Sequence, residues 1–163
     1  MSIKFLSDRE DPCPVCAKIS GSRQDWPIVS SNENAVAFVP SRQPTVGTTL
    51  VVPRRHVFDP AELGEQAADD LYLLLRDMVD ATMSTLKPNY YHISQYVGIT
   101  SEEPFDHLHW RLEPRSEKPA GKFVPITEMP SMPLAERQRI ADTLRGHFGS
   151  RGTEAAEAQP AHS

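Results

Sequence analysis

The stretch Phe105-Asp106-His107-Leu108-His109-Trp110-Arg111-Leu112-Glu113-Pro114-Arg115 constrains this chain more than any other part of it. Its polar and apolar residues alternate with the period of a β-strand. His107, His109 and Arg111 are therefore expected on one face, and Leu108, Trp110 and Leu112 on the other. Two imidazoles and a guanidinium on one side of a strand repel each other unless a partner is present. A phosphate, a metal or an oxyanion would serve, and plain solvation of an exposed His-x-His pair is the alternative.

At 163 residues the chain is expected to form one domain with a core of its own. The net charge of −5 and the absence of a basic cluster argue against an electrostatic nucleic-acid surface. No apolar run approaches a signal core or a membrane span, so a cytoplasmic protein with no membrane association is expected. In that reducing compartment Cys13-Pro14-Val15-Cys16 reads as metal or redox chemistry rather than a structural disulfide. The segment 149–163, rich in Ala, Glu, Gly and Ser, is expected to be a disordered tail beyond a domain spanning 1–148.

Residues 12–20 read as a short helical turn carrying the cysteines. Trp26–Ser31 and Ala35–Val39 read as strands paired about Ser31-Asn32-Glu33-Asn34, with a third strand over Gly47–Pro53. Asp59-Pro60-Ala61-Glu62 is a capping signature that starts a helix. A longer helix follows, with Leu71, Leu74, Leu75, Met78, Val79, Thr82, Met83 and Leu86 on one stripe, and Lys87-Pro88-Asn89 stops it. Tyr90–Val97 is expected to be a core strand containing His92, Gly98–Pro104 a loop, and Asp106–Glu113 the motif strand. The proline-rich 114–133 should hold little regular structure, and a last helix should run from Pro133 to Phe148. This order predicts an α+β fold with a mostly antiparallel sheet.

A closed zinc site takes four nitrogen or sulfur ligands, commonly a Cys-x-x-Cys pair plus two residues from elsewhere. Cys13 and Cys16 supply the pair, and His56 and His107 are the best remaining candidates. A thioredoxin-like redox pair or two unrelated buried thiols are the alternatives, although the N-terminus lacks the βαβ context of the first. His92, His147 and His162 read as satisfied or solvated side chains.

The motif resembles the histidine triad (HIT) superfamily, whose His-φ-His-φ-His-φ-φ followed by Pro-Arg stands here as His107 to Arg115. Upstream, Glu33-Asn34-Ala35-Val36-Ala37-Phe38 and Gly47-Thr48-Thr49-Leu50-Val51-Val52-Pro53-Arg54-Arg55-His56 resemble that family's strand-turn-strand ending in Pro-x-x-His. The resemblance implies a HIT-like homodimer that binds nucleotides or other phosphorylated small molecules and hydrolyses or transfers their phosphoryl groups. It implies structural zinc on Cys13, Cys16, His56 and His107, as in many bacterial members. His109 would form a covalent nucleotidyl-histidine, with Arg111 beside it and substrate contacts at Phe38, Gly98 and Glu103.

Four departures narrow that expectation. Arg111 replaces the third histidine; it can clamp phosphoryl oxygens but cannot donate a proton near neutral pH. Glu102-Glu103-Pro104 replaces the family's Gly-Gln-Ser, Pro40 its ribose-binding Asp, and Tyr96 its usual Asn. The substrate is therefore expected to differ from a plain purine phosphoramidate. A zinc-stapled binding or regulatory module without chemistry is the alternative.

Overall fold

The computed structural model describes residues 13–97, 107–116 and 128–157. Gly98, Glu102, Glu103 and Pro104, with the expected loop they belong to, lie outside the described residues. The elements in chain order are α1 (Pro14–Ile19), β1 (Ile28–Ser31), β2 (Ala35–Phe38), β3 (Thr49–Pro53), α2 (Glu65–Thr85), β4 (Tyr90–Ser94), β5 (Trp110–Arg115) and α3 (Leu134–Glu157). The strands form one antiparallel sheet in the order β1-β2-β3-β5-β4. The α+β architecture expected from the element order is the one observed.

Period-two alternation sends each central strand into two separate apolar clusters. Ala35, Ala37, Val39, Val51, Leu108 and Leu112 join Leu71, Leu74, Leu75 and Met78 of α2 and Ala141 and Leu144 of α3. Val36, Phe38, Leu50 and Val52 face the other way and meet Val15 of α1 and Trp26. β2 and β3 are buried at every position, because α2 and α3 cover one face and α1 covers the other. The stripe expected on α2 is the one turned to the core, with Ala81 added and Val79, Met83 and Leu86 half-buried.

The capping signature stands as read. Ala61 N–H donates to the Asp59 side chain at 2.8 Å, and Asp59 N–H to Glu62 Oε1 at 3.0 Å. The turn it starts is a short 3-10 helix, Pro60–Glu62, and α2 begins separately at Glu65.

Several boundaries differ from expectation. β1 starts at Ile28 because Pro27 has no N–H to donate and Trp26 turns inward. β4 stops at Ser94 and is an edge strand, not a core one, so His92 is 56 % exposed. β5 begins at Trp110, after both histidines, and extends through Pro114. A proline is tolerated there because the β3 ladder ends at Thr49 opposite Leu112, leaving β4 as the only flanking strand among the described residues. α3 continues past Phe148 to Glu157, into the segment expected to be a disordered tail. The Ala and Glu residues that made 149–157 look tail-like are also strong helix formers.

β3 begins at Thr49 because Gly47 turns the chain with φ +95°, and a Cβ there would lie 2.5 Å from Leu86 Cδ1 and 3.1 Å from Pro114 Cγ. Backbone strain and a clash with two well-packed side chains both oppose substitution. Gly47→Ala is expected to cost about 2 kcal/mol. The check is the urea midpoint, and a variant as stable as the parent would remove this account of the turn.

Candidate functional site: a Cys/His cluster joined to the motif histidine

Cys13 caps the N-terminus of α1, Pro14 takes the first helical position, and Cys16 follows one turn later on the same side. The helix lies against the sheet through Val15 and Ile19, which brings both thiols to the ends of β3 and the motif segment. Cys16 Sγ is 3.1 Å from His56 Nδ1 and 3.6 Å from His107 Nδ1, and Cys13 Sγ is also 3.6 Å from His107 Nδ1. The ligand atoms of all four residues lie within 4.8 Å of one another. A tetrahedral ion with bonds of about 2.0–2.3 Å asks for donors of this type at roughly this spacing.

The imidazole of His107 is buried, and its Nε2–H donates to the Pro53 carbonyl at 2.8 Å. That hydrogen bond places the proton on Nε2 and leaves the Nδ1 lone pair toward the thiols. Burial pushes His107 down to about 4, with the neighbouring His56 and His109 acting in the same direction. The ring is thus neutral at ordinary pH, as a ligand must be. Burial, and then Cys13 beside it, push the Cys16 thiol up to about 11. Two thiolates at this spacing need a cation between them, and the four residues together could hold a metal ion.

His107 is also tied to the second motif histidine. Its carbonyl accepts the Nδ1–H of His109 at 2.8 Å. This fixes the tautomer and leaves the ring lone pair of His109 on Nε2. These bonds explain why the ladder starts only at Trp110: the Pro53 and His107 carbonyls are engaged by imidazoles, while Leu108 N–H bonds Val57 O at 2.8 Å. The alternation read from the sequence holds, with His109 and Arg111 opposite the face of Leu108 and Leu112. Both faces are buried, however, rather than one being open.

Arg111 sits between Leu50 of β3 and Ser94 of β4. Phe38 lies in the same cross-strand row, since it pairs with Leu50. It is fully buried and stacked on Trp26, ring centroids 5.0 Å apart, with the Arg23 guanidinium 4.2 Å above the indole. Phe38 therefore lies behind Trp26 and Arg23. Gly98 and Glu103 fall outside the described residues. His147 stands 3.3 Å from Asp80, a satisfied histidine as expected. Two contributors escaped the sequence reading. The Pro53 carbonyl carries no side-chain signal at all. Glu113 does carry one, a charge in register with His109 and Arg111, and it is buried beside Arg115 and His92.

The depressed His107 value has a consequence for the metal-free protein. Its pKa in the fold, about 4, lies below the ordinary 6.5, so the unfolded chain binds the proton first as pH falls. Stability present above pH 6.5 should decline toward pH 4 by about 3 kcal/mol. Urea unfolding across that range checks it, and His107→Leu should flatten the slope. An unchanged slope in His107→Leu would remove this residue as the cause.

No protein-family model matches the chain. It is 31 % identical over 119 residues to an uncharacterized HIT-like protein of Saccharolobus solfataricus, covering 71 % of this chain and 85 % of the relative. It is 26 % identical over 128 residues to adenosine 5′-monophosphoramidase of Schizosaccharomyces pombe, covering 77 % and 89 %. The crystal structure of a zinc-bound histidine triad family protein from Mycobacterium smegmatis superposes with a TM-score of 0.69 at 20 % identity, over 87 % of this chain and 96 % of that one. By the alternating motif strand, by the fold and by this kinship, the chain belongs to the histidine triad family.

Proposed function

We propose that this protein is a hydrolase or nucleotidyl/phosphoryl transferase acting on a phosphorylated or nucleotidylated small molecule, with His109 as nucleophile and Arg111 as phosphoryl clamp. The observation that carries the reading is the 2.8 Å bond from His109 Nδ1–H to the His107 carbonyl. It orients a buried imidazole and keeps its other nitrogen basic. Nε2 would attack phosphorus as the bond to the leaving group breaks, giving a nucleotidyl-histidine that water or an acceptor then resolves. Arg111 offers a fork of donors for oxygens that gain charge in the transition state. The naming of the fission-yeast relative as an adenosine 5′-monophosphoramidase supports phosphoryl chemistry of this kind. Glu103 and Gly98 would contact the substrate from the segment before the motif, while Phe38, buried behind Trp26, would support this face rather than touch the substrate.

Cys13, Cys16, His56 and His107 would hold zinc, which supplies a structural tie between α1, the end of β3 and the motif segment. The protein would act in the cytoplasm, in a domain whose last helix runs on past 148 to Glu157; no helix among the described residues is long and apolar enough to cross a membrane. A homodimer would use the edge strand β4, where Tyr91 and Ile93 are exposed on the helix side of the sheet together with Tyr72 and Leu73 of α2. Light scattering that gives a monomer at micromolar concentration would count against that arrangement.

Protein purified without added metal is expected to carry one zinc equivalent per chain by elemental analysis. His107→Ala should lower the melting temperature more than His109→Ala does, since only the first loses a ligand. Incubation with nucleotide and sugar-nucleotide esters should give an intact-mass adduct that His109→Ala abolishes. Arg111→Ala should slow its formation by about 2–4 kcal/mol in barrier height. Binding of these ligands with no adduct and no turnover would instead favour an anion-binding module, in line with Glu102, Glu103 and Pro104 before the motif.

A further inference from the structure

The turn between α1 and β1 gathers more positive charge than the described residues around it neutralise. Its backbone folds back on the helix: Gly21 N–H donates to the Lys18 carbonyl at 3.2 Å, and Arg23 N–H to the Ala17 carbonyl at 3.0 Å. Arg23 and Asp25 pair there through two contacts, Nε to Oδ1 at 2.6 Å and Nη2 to Oδ2 at 2.9 Å. Two parallel bonds of this kind complete the match of a guanidinium to a carboxylate. Arg137 reaches the same turn from α3, where its Nη1 donates to the Asp25 carbonyl and its Nε to the Met132 carbonyl at 2.9 Å. Backbone carbonyls satisfy its donors but do not neutralise its charge.

Lys18 has less still. It is 7 % exposed, and its ammonium makes no hydrogen bond or ion pair among the described residues. Burial lowers its pKa from the ordinary lysine value, against the pull of Asp25 and with the help of Arg23. Asp25 is the one carboxylate among the described residues that acts on either Lys18 or Arg137, and Arg23 opposes the charge of both. Three cations therefore share one carboxylate, and two positive charges are left over. A buried ammonium without a partner is costly, and an apolar side chain of similar length would pack in its place at less cost. Arg23 and Asp25 are partly open to solvent, so the excess charge faces a route by which an anion can enter.

We propose that Lys18 and Arg23, backed by Arg137, form an anion site that takes a phosphate dianion, apart from His109 and Arg111. Two charges in excess match a dianion better than a carboxylate. Lys18 offers a compact charge with three donors at the floor, and Arg23 offers the Nη1 group that Asp25 does not use. The Arg23 guanidinium lies 4.2 Å above Trp26, which stacks on Phe38 of β2. Phe38 is two strands from Arg111, about 10 Å at the usual strand spacing, so the two cationic sites are distinct. A dianion bound here would tie the turn to α1 and, through the field of Arg137, to α3. This goes beyond the reading of His109 as nucleophile and does not depend on it.

The test titrates inorganic phosphate into the full chain carrying Arg111→Ala, which removes the cation assigned to the motif face. Tryptophan emission and Tm are read against sodium chloride of equal ionic strength. Trp26 lies under Arg23 and is one of two tryptophans, so a saturable change in emission with a rise in Tm is expected. Adding Lys18→Met is expected to weaken phosphate binding by about 10-fold or more. Without phosphate the same variant should melt no lower than its parent, because it loses a buried charge that has no partner. Acetate should give no saturable change. Glycerol 3-phosphate that saturates at least as tightly as phosphate supports the proposal with a phosphomonoester as ligand, and saturation by phosphate alone supports it with the free ion. No saturable response to either phosphate compound overturns the proposal. So does an unchanged response in Lys18→Met, or a response to acetate as strong as that to phosphate. A Lys18→Met chain that melts well below its parent without phosphate also overturns it, by showing a structural partner for the ammonium. Should circular dichroism show that Arg111→Ala does not fold, wild type and Lys18→Met are compared directly by the same criteria.

Discussion

The imidazole of His107 is the joint on which the rest of the site depends. One ring nitrogen gives its proton to the Pro53 carbonyl at 2.8 Å, the other faces two thiols, and the residue's own carbonyl receives His109. Each bond fixes the direction of the next. The proton bound at Pro53 cannot sit on the nitrogen that faces the cysteines, and a backbone held at its side chain holds its carbonyl in place as well. The end of β3, the N-terminus of α1 and the start of the motif are distant in sequence, and they meet at this one ring.

The sheet makes such a joint possible because it is buried on both sides. Alternation along β2, β3 and β5 feeds a large cluster beneath α2 and α3 and a smaller one beneath α1 and Trp26. The smaller cluster supports the face that carries His109 and Arg111, and the larger one anchors the strands from below. Arginines fasten the last helix across the sheet edge: Arg145 Nε donates to the Ile28 carbonyl at 2.8 Å, and Arg137 bonds the carbonyls of Met132 and Asp25. The Ile28 carbonyl lies on the edge strand β1, where no further strand among the described residues claims it.

Much of this was legible because it depends on local chemistry. The capping box at Asp59, the apolar stripe of α2, the alternation of the motif and the Cys-x-x-Cys spacing each follow from side chains a few residues apart. The cluster of Cys13, Cys16, His56 and His107 was legible too, since ligand types restrict the choice. What escaped were features set by long-range neighbours. β4 reads as a core strand until its place at the sheet edge is known, and Pro114 reads as a breaker until β3 is seen to end before it. Tail-like 149–157 reads as disordered from composition, although its residues are also helix formers. The Pro53 carbonyl cannot be read from side chains at all. Glu113 could have been found, because a charge in register with His109 and Arg111 already breaks the apolar pattern.

Two clusters of unequal size also imply two unequal modes of opening. The face beneath α1 rests on a few apolar side chains, a short helix and the four-residue Cys/His cluster, whereas the face beneath α2 and α3 rests on a much larger set of packed side chains. Separation of α1 from the sheet can therefore precede loss of the helical layer, as a sub-global event of lower free energy. Amides of α1 would then exchange with solvent before those of α2, and the face of His109 and Arg111 would be exposed in a chain still folded elsewhere. The same small patch that carries the Cys/His cluster is thus the part of the molecule that yields first.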